Sequence, residues 1–226
     1  DDAIASWSPS DGPTACLFNE FRYCTTENTL RAAGVGFFGG GGHKAHHIIV
    51  KDNTEAGLRI NSDFPGYQFT NDLIEFSNIT VIGSGTNANL WSNRYGAIDI
   101  FTRLYNINNV TFDNIDIIDS QKDAIFIYAV NPAYTIQNLQ LNNITINGTG
   151  LDGNANNFTT GTYDDYAGYA ILMDNQIQAT VTICDLSVTN AASQPDVQMD
   201  TPGNINLTYC NSVDPTGITV SPTSLS

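Results

Sequence analysis

The 226-residue sequence predicts an all-β solenoid of parallel strands, about seven coils long. Three observations predict it. Short apolar blocks recur, with shorter intervals of about 23 to 27 residues. No long segment carries a 3.6-residue apolar period, so helix should be scarce. The chain also holds 26 Asn and 19 Gly, residues that tolerate left-handed backbone and so suit a path that turns corners repeatedly.

Each predicted unit opens on a small residue followed by a strand. These strands read Gly34-Val-Gly-Phe-Phe38, Gly57-Leu-Arg-Ile60, Gly96-Ala-Ile-Asp-Ile-Phe101, Ala124-Ile-Phe-Ile-Tyr128 and Tyr169-Ala-Ile-Leu-Met173. A second block follows each: His46-His-Ile-Ile-Val50, Asn78-Ile-Thr-Val-Ile82, Asn114-Ile-Asp-Ile-Ile118, Asn143-Ile-Thr-Ile146 and Thr180-Val-Thr-Ile183. Longer intervals carry insertions near residues 63–72 and 148–168. An up-and-down sandwich would favour two-residue Asn-Gly hairpins, and only Asn147-Gly148 offers one. In a coil, alternate residues face inward and stack on their equivalents about 4.8 Å away.

Charge narrows the function classes. Eight Lys and Arg against 23 Asp and Glu give a net charge of −15. Phosphate neutralisation needs clustered basic residues, so a nucleic-acid partner is excluded, and a strongly anionic substrate is disfavoured. No apolar run approaches the roughly 18 residues of a membrane span. Hydrophobic residues make up 41% of the chain, enough for a full core.

The four cysteines, Cys16, Cys24, Cys184 and Cys210, form no CxxC pair and have no His at zinc-like spacing. Their even number in an Asn-rich, Lys-poor chain suggests an oxidising compartment, secreted or at the cell surface. Spacing suggests Cys16–Cys24 as a local closure and Cys184–Cys210, about one coil apart, as a stacked bridge; four free thiols are the alternative. Sequons at Asn78, Asn109, Asn143, Asn147, Asn157 and Asn206 also read as a turn followed by a strand.

Most familiar chemistries find no support. His43, His46 and His47 have only Asp52 and Glu55 nearby, and read as a polar loop and a strand edge. No Gly-x-Ser-x-Gly is present. Gly39 to Gly42 lacks the Gly-Lys-Ser/Thr ending of a phosphate loop. The loop Asp152-Gly-Asn-Ala-Asn156 could take a structural calcium ion, but it matches no full EF-hand pattern and ordinary turn usage is expected, so no cofactor is assigned. Paired carboxylates remain, at Asp1-Asp2 and Asp164-Asp165. Glycoside hydrolysis needs one carboxyl group as acid and another as base or nucleophile. Because successive strand residues point to opposite faces, such a pair can line one groove only at a bend or strand start.

The order of motifs adds a resemblance. Asp1-Asp2-Ala-Ile-Ala-Ser-Trp7, Asn28-Thr-Leu-Arg-Ala-Ala-Gly34-Val-Gly-Phe-Phe-Gly-Gly40, Glu55-Ala-Gly-Leu-Arg59-Ile, Tyr95-Gly-Ala-Ile98 and Asn114-Ile-Asp-Ile-Ile-Asp-Ser120 resemble the right-handed parallel β-helix glycoside hydrolases. The likeness is greatest to the α-1,3-glucanases (mutanases, mycodextranases) of glycoside hydrolase family 87, and it covers most of residues 1–212. It implies a right-handed β-helix, an inverting mechanism, Asp1 and Asp2 as catalytic residues, and a further catalytic Asp one coil upstream of residue 1. Polygalacturonases, more distant, use Gly-His-Gly and Arg-Ile-Lys where this chain has Gly34-Val-Gly36 and Arg59-Ile-Asn61. The missing His and Lys, with the negative charge, favour a neutral α-glucan over pectate.

Sugar rings stack on flat apolar faces, so Trp7, Tyr67 and Trp91 are expected at the substrate surface. Arg59 is expected either to bond sugar hydroxyls or to pair with Glu55. Residues 1–213 are expected to be a β-helix truncated at its N-terminal side. Residues 214–226 read as a linker or as the start of a bacterial immunoglobulin-like domain, so further domains of the same polypeptide are expected partners beside the polysaccharide. The competing reading is a non-catalytic β-helix stalk or carbohydrate-binding segment of a surface protein.

Overall fold

The computed structural model describes residues 2–9, 14–85, 94–151, 168–174, 176–199 and 204–210. Asp1, Trp91, Asp164-Asp165, the loop from Asp152 and the tail after residue 210 lie outside the described residues.

Across the described residues the chain runs alternately through two seven-stranded parallel sheets. One holds the short strands β1 (Ile4–Trp7), β3 (Val35–Phe38), β5 (Leu58–Asn61), β7 (Ile98–Thr102), β9 (Ile125–Ala129), β11 (Ile171–Met173) and β13 (Val197–Met199), in that spatial order. The other holds β2 (Glu20–Glu27), β4 (Lys44–Lys51), β6 (Ile74–Ile82), β8 (Ile107–Ile118), β10 (Thr135–Asn147), β12 (Gln178–Thr189) and β14 (Ile205–Tyr209). Each strand pairs with the strands two places before and after it, which is consistent with a parallel β-helix. Seven strands per sheet agree with about seven repeats.

The register explains why the small-residue blocks recur. Val35, Leu58, Ile98, Ile125, Ile171 and Val197 are mutual partners across the first sheet, as are Phe37, Ile60, Ile100, Ile127 and Met173. These side chains face inward and are buried. The second sheet contributes matching rows: Ile48, Ile79, Ile115 and Ile144, then Val50, Val81, Ile117 and Ile146. Phe76 and Phe112 stack at 4.6 Å within one such row. Each fully buried Ile or Phe contributes about 1.5–3 kcal/mol relative to exposure, and every coil repeats the contribution.

The asparagines have a more specific role than expected. The sequons at Asn78 and Asn143 suggest turns preceding strands, but β6 and β10 run straight through them, as β8 does through Asn114. Each sits at φ between 50° and 55°, as do Tyr23 and His47 in β2 and β4, so a left-handed residue bends each strand at the same level. Stacked equivalents bond to one another: Asn114 Nδ2 donates to Asn78 Oδ1 at 2.7 Å, and Asn138 Nδ2 to Asn109 Oδ1 at 2.8 Å. A short amide chain supports left-handed backbone locally and then satisfies its own polar groups along the stack.

Cys184 and Cys210 are bonded, with Cα atoms 5.0 Å apart, one rung beyond the Ile183–Tyr209 pair. The expected Cys16–Cys24 bridge is absent, and both thiols are free. Cys24 points inward on β2 in register with Ile48 and packs on the core. Cys16 instead directs Sγ to the Trp7 carbonyl at 3.2 Å. Closeness in sequence misled here because strand direction sends the two side chains to different surroundings.

Gly40 lies in the left-handed region at φ 78°, and a Cβ there would collide with the Cys16 carbonyl. The glycine run is thus a close backbone approach. His43, buried beside it, accepts from the Asn19 N–H at Nδ1 (3.3 Å), so Nε2 donates to the Gly39 carbonyl (3.1 Å). Burial holds its pKa below the usual imidazole range, so it is a neutral packing residue. His46 lies inside β4, between Arg22 and Ser77 of the neighbouring strands, where a strand edge was expected, and it bonds Glu20 and His47.

Alkylation of the unfolded, unreduced protein is therefore expected to modify two of four cysteines, mapped to Cys16 and Cys24 by mass spectrometry. Modification of none would restore the local bridge.

Candidate active site

Outward-facing residues of the first sheet, unlike those of an exposed sheet, are largely buried. The second position of each block forms one row: Gly36, Arg59, Asp99, Phe126 and Leu172. Parallel register therefore sets a guanidinium directly beside a carboxylate. Arg59 Nη1 donates to Glu55 Oε2 at 3.0 Å, its Nε lies 3.5 Å from Asp99 Oδ2 as an ion pair without a hydrogen bond, and its guanidinium sits 4.3 Å from the centre of the Tyr95 ring. Asp99 is fully buried, Glu55 nearly so, and Arg59 is 6% exposed.

Burial drives the Asp99 carboxyl up to about 7, although Arg59, the Gly96 N–H and Tyr128 pull the other way. Burial alone would lower the Arg59 pKa, but Asp99 and Glu55 carry it above its ordinary value. A second buried pair lies one rung along. Arg94 contacts both Asp123 oxygens, at 2.6 and 2.7 Å, and lies over Phe126.

Glu55 and Arg59 face a cavity of about 480 Å³ lined also by Asp2, Arg31, Ala32, Asn61, Asp63, Phe64, Tyr95, Phe101 and Arg103. Asp2 precedes β1, a strand start where the alternation of faces does not yet constrain a carboxylate. Its Oδ1 accepts from the Ala33 N–H at 2.7 Å. Partial burial raises its pKa, against the lowering effects of that hydrogen bond and of Arg59. A carboxyl group so disposed can hold a proton near neutrality better than an exposed one, as a general acid must.

The structure brings Asp2 and Arg59 to one cavity. Trp7 is half exposed on β1 and reaches the cavity through Phe64, against which its ring packs at 5.9 Å. Tyr67 lies apart from the cavity wall, on the loop after β5, where its N–H donates to the Ser8 carbonyl at 2.9 Å. Asp1 and Trp91 lie outside the described residues. Asp99, Phe64, Tyr95 and Arg103 were not singled out from sequence. Asp99 was within reach: two residues after Ala97 it occupies the place Arg59 holds after Gly57. Among the described residues no three His, Cys, Asp or Glu side chains converge as a metal site, and no helix is long and apolar enough to cross a membrane.

The Asp99 charge predicts a pH effect on stability. A carboxyl pKa raised in the folded state favours folding at low pH and loses that contribution as pH rises toward about 7. Urea unfolding is expected to show stability falling between pH 4 and pH 8, with a shallower fall in Asp99→Asn. Equal slopes would mean that Asp99 does not carry the effect.

No family model matches the chain, and no curated protein does. Solved structures match. The Agl-KA catalytic domain is 38% identical, with TM-score 0.81, over 92% of this chain and 35% of that one. The catalytic unit of a thermostable family 87 α-1,3-glucanase from Streptomyces thermodiastaticus strain HF3-3 is 15% identical (TM-score 0.62; 93% of this chain, 36% of that one). The catalytic domain of a family 87 α-1,3-glucanase in complex with nigerose is 18% identical (TM-score 0.61; 93% and 38%). The chain spans about a third of the length of these domains. The likeness to glycoside hydrolase family 87 α-1,3-glucanase catalytic domains, read from motif order, is thus borne out across nearly the whole chain.

Proposed function

We propose that this chain is part of a secreted or cell-surface glycoside hydrolase that cleaves a neutral α-glucan, α-1,3-glucan in the first instance. The observation that carries the reading is Asp2: a carboxyl group with a raised pKa at a strand start, facing a cavity beside Arg59, in a chain 38% identical to the Agl-KA catalytic domain. Asp1 and Asp2 are the proposed catalytic residues. In an inverting mechanism one carboxylic acid protonates the glycosidic oxygen while a carboxylate activates water on the opposite face of the sugar. The raised pKa suits Asp2 to the acid role. Asp1 and an upstream carboxylate are left for the base. Trp7, Arg59, Tyr67 and Trp91 are the proposed substrate contacts; the pairing of Arg59 with Glu55 and Asp99 favours a fixed charge acting on Asp2 and nearby hydroxyls.

The two parallel sheets are proposed to form a right-handed β-helix through residue 213, with residues 214–226 leading to a further domain. The Cys184–Cys210 bond supports an oxidising compartment. The net charge of −15 supports a neutral substrate rather than pectate.

The test is release of reducing ends from α-1,3-glucan and from dextran by the protein extended upstream of Asp1. Release from α-1,3-glucan is expected, falling by about 10²–10⁴-fold in Asp2→Asn. No release from either polymer, or an unchanged rate in the variant, would contradict the proposal and favour a non-catalytic stalk.

A further inference from the structure

Two large apolar side chains stand exposed in mutual contact, one of them lining the cavity. Phe64 is 46% and Trp7 49% exposed. Their ring centres are 5.9 Å apart at 58°, and buried Phe38 meets Phe64 edge-on at 5.4 Å and 79°. Phe64 is therefore wedged between two rings while part of its surface remains in water. It lines the same cavity as Asp2.

The loop carrying Phe64 is held at both ends. Asp63 accepts from Arg103 Nη1 at 2.6 Å, and its N–H donates to Asn61 Oδ1 at 3.0 Å. Further on, Gly66 bridges to Pro9, Tyr67 donates to the Ser8 carbonyl, and Gly40 donates to the Gln68 carbonyl at 3.2 Å. A Cβ on Gly66 would collide with the Ser8 carbonyl, so the loop lies flush on the chain that follows β1. Pro65 restricts the backbone between these anchors. Exposure of the Phe64 ring is fixed by these ties and does not come from slack.

We propose that Phe64, braced by Trp7, forms an aromatic step on which the apolar face of one glucosyl ring of an α-1,3-linked chain stacks as the chain enters the cavity. The inference rests on the glucan-hydrolase reading and names a residue of its substrate site. The exposed patch is two rings, and the cavity that Phe64 lines has Asp2, Asp63, Arg31 and Arg103 as part of its polar border. That size and border suit a ligand with an apolar ring face and a rim of hydroxyls. A protein or lipid surface would need a broader apolar area.

The test is binding of nigerotetraose, an α-1,3-linked glucose tetramer, to the 226-residue chain, with cellotetraose as control. The two indole N–H resonances report it by NMR, that of Trp7 being assigned by its loss in Trp7→Phe. A saturable shift of the Trp7 resonance by nigerotetraose is expected. Phe64→Ala should weaken affinity about five- to tenfold, and Phe64→Tyr should stay within about twofold of the parent. Thermal unfolding checks the variants. If Phe64→Ala fails to fold, Phe64→Leu, which keeps apolar bulk without a flat ring, is read the same way. No Trp7 response, or equal affinity in the parent and in the folded ringless variant, overturns the step. Binding by this chain, with no reducing ends released by the protein extended upstream of Asp1, would remove the hydrolase reading and leave the step standing. Hydrolysis with unaltered affinity in the ringless variant would do the reverse.

Discussion

Parallel, in-register pairing between successive repeats is the constraint on which the other features rest. Each strand bonds to the strand two places along the chain, so the lateral neighbour of any residue is its own equivalent one repeat away. An inward Ile must then sit beside an inward Ile or its like, and a left-handed bend in one strand requires a bend at the same level in the next. The same rule sets Cys210 beside Cys184 and Asp99 beside Arg59. Core, corners, disulfide and buried charges are thus four results of one register.

That rule also governs how much could be read from sequence. The short strands after small residues were legible, because Gly57-Leu-Arg-Ile60 and Ala124-Ile-Phe-Ile-Tyr128 match β5 and β9 nearly residue for residue. The second sheet was half legible. β10 begins at Thr135, eight residues before the expected Asn143, because an asparagine with positive φ inside a strand looks like a turn when its stacked partner is unseen. Cys16 and Cys24 were misjudged for a related reason: sequence distance carries no information about which way a side chain faces.

Within the site, Asp2 and Arg59 could be named from motif order, whereas their surroundings could not. Phe64 and Arg103 come to the cavity from different repeats, joined by the Asp63–Arg103 bond and the loop that follows β5. Asp99 is hidden beneath Arg59 and looks in sequence like one more polar strand residue. Its effect is electrostatic. With Glu55 it keeps the guanidinium ionised and in place, and that charge opposes the burial that raises the Asp2 carboxyl. Buried ion pairs contribute little net stability but strongly penalise loss of one partner, which suits them to fixing a charge at a site.

The account centres on that balance at Asp2, and the most direct measurement is its carboxyl titration by ¹³C NMR in the parent chain and in Arg59→Leu. The account predicts a midpoint above the ordinary aspartate range in the parent and a further rise when the guanidinium is removed. An ordinary midpoint that does not respond to Arg59→Leu would contradict it.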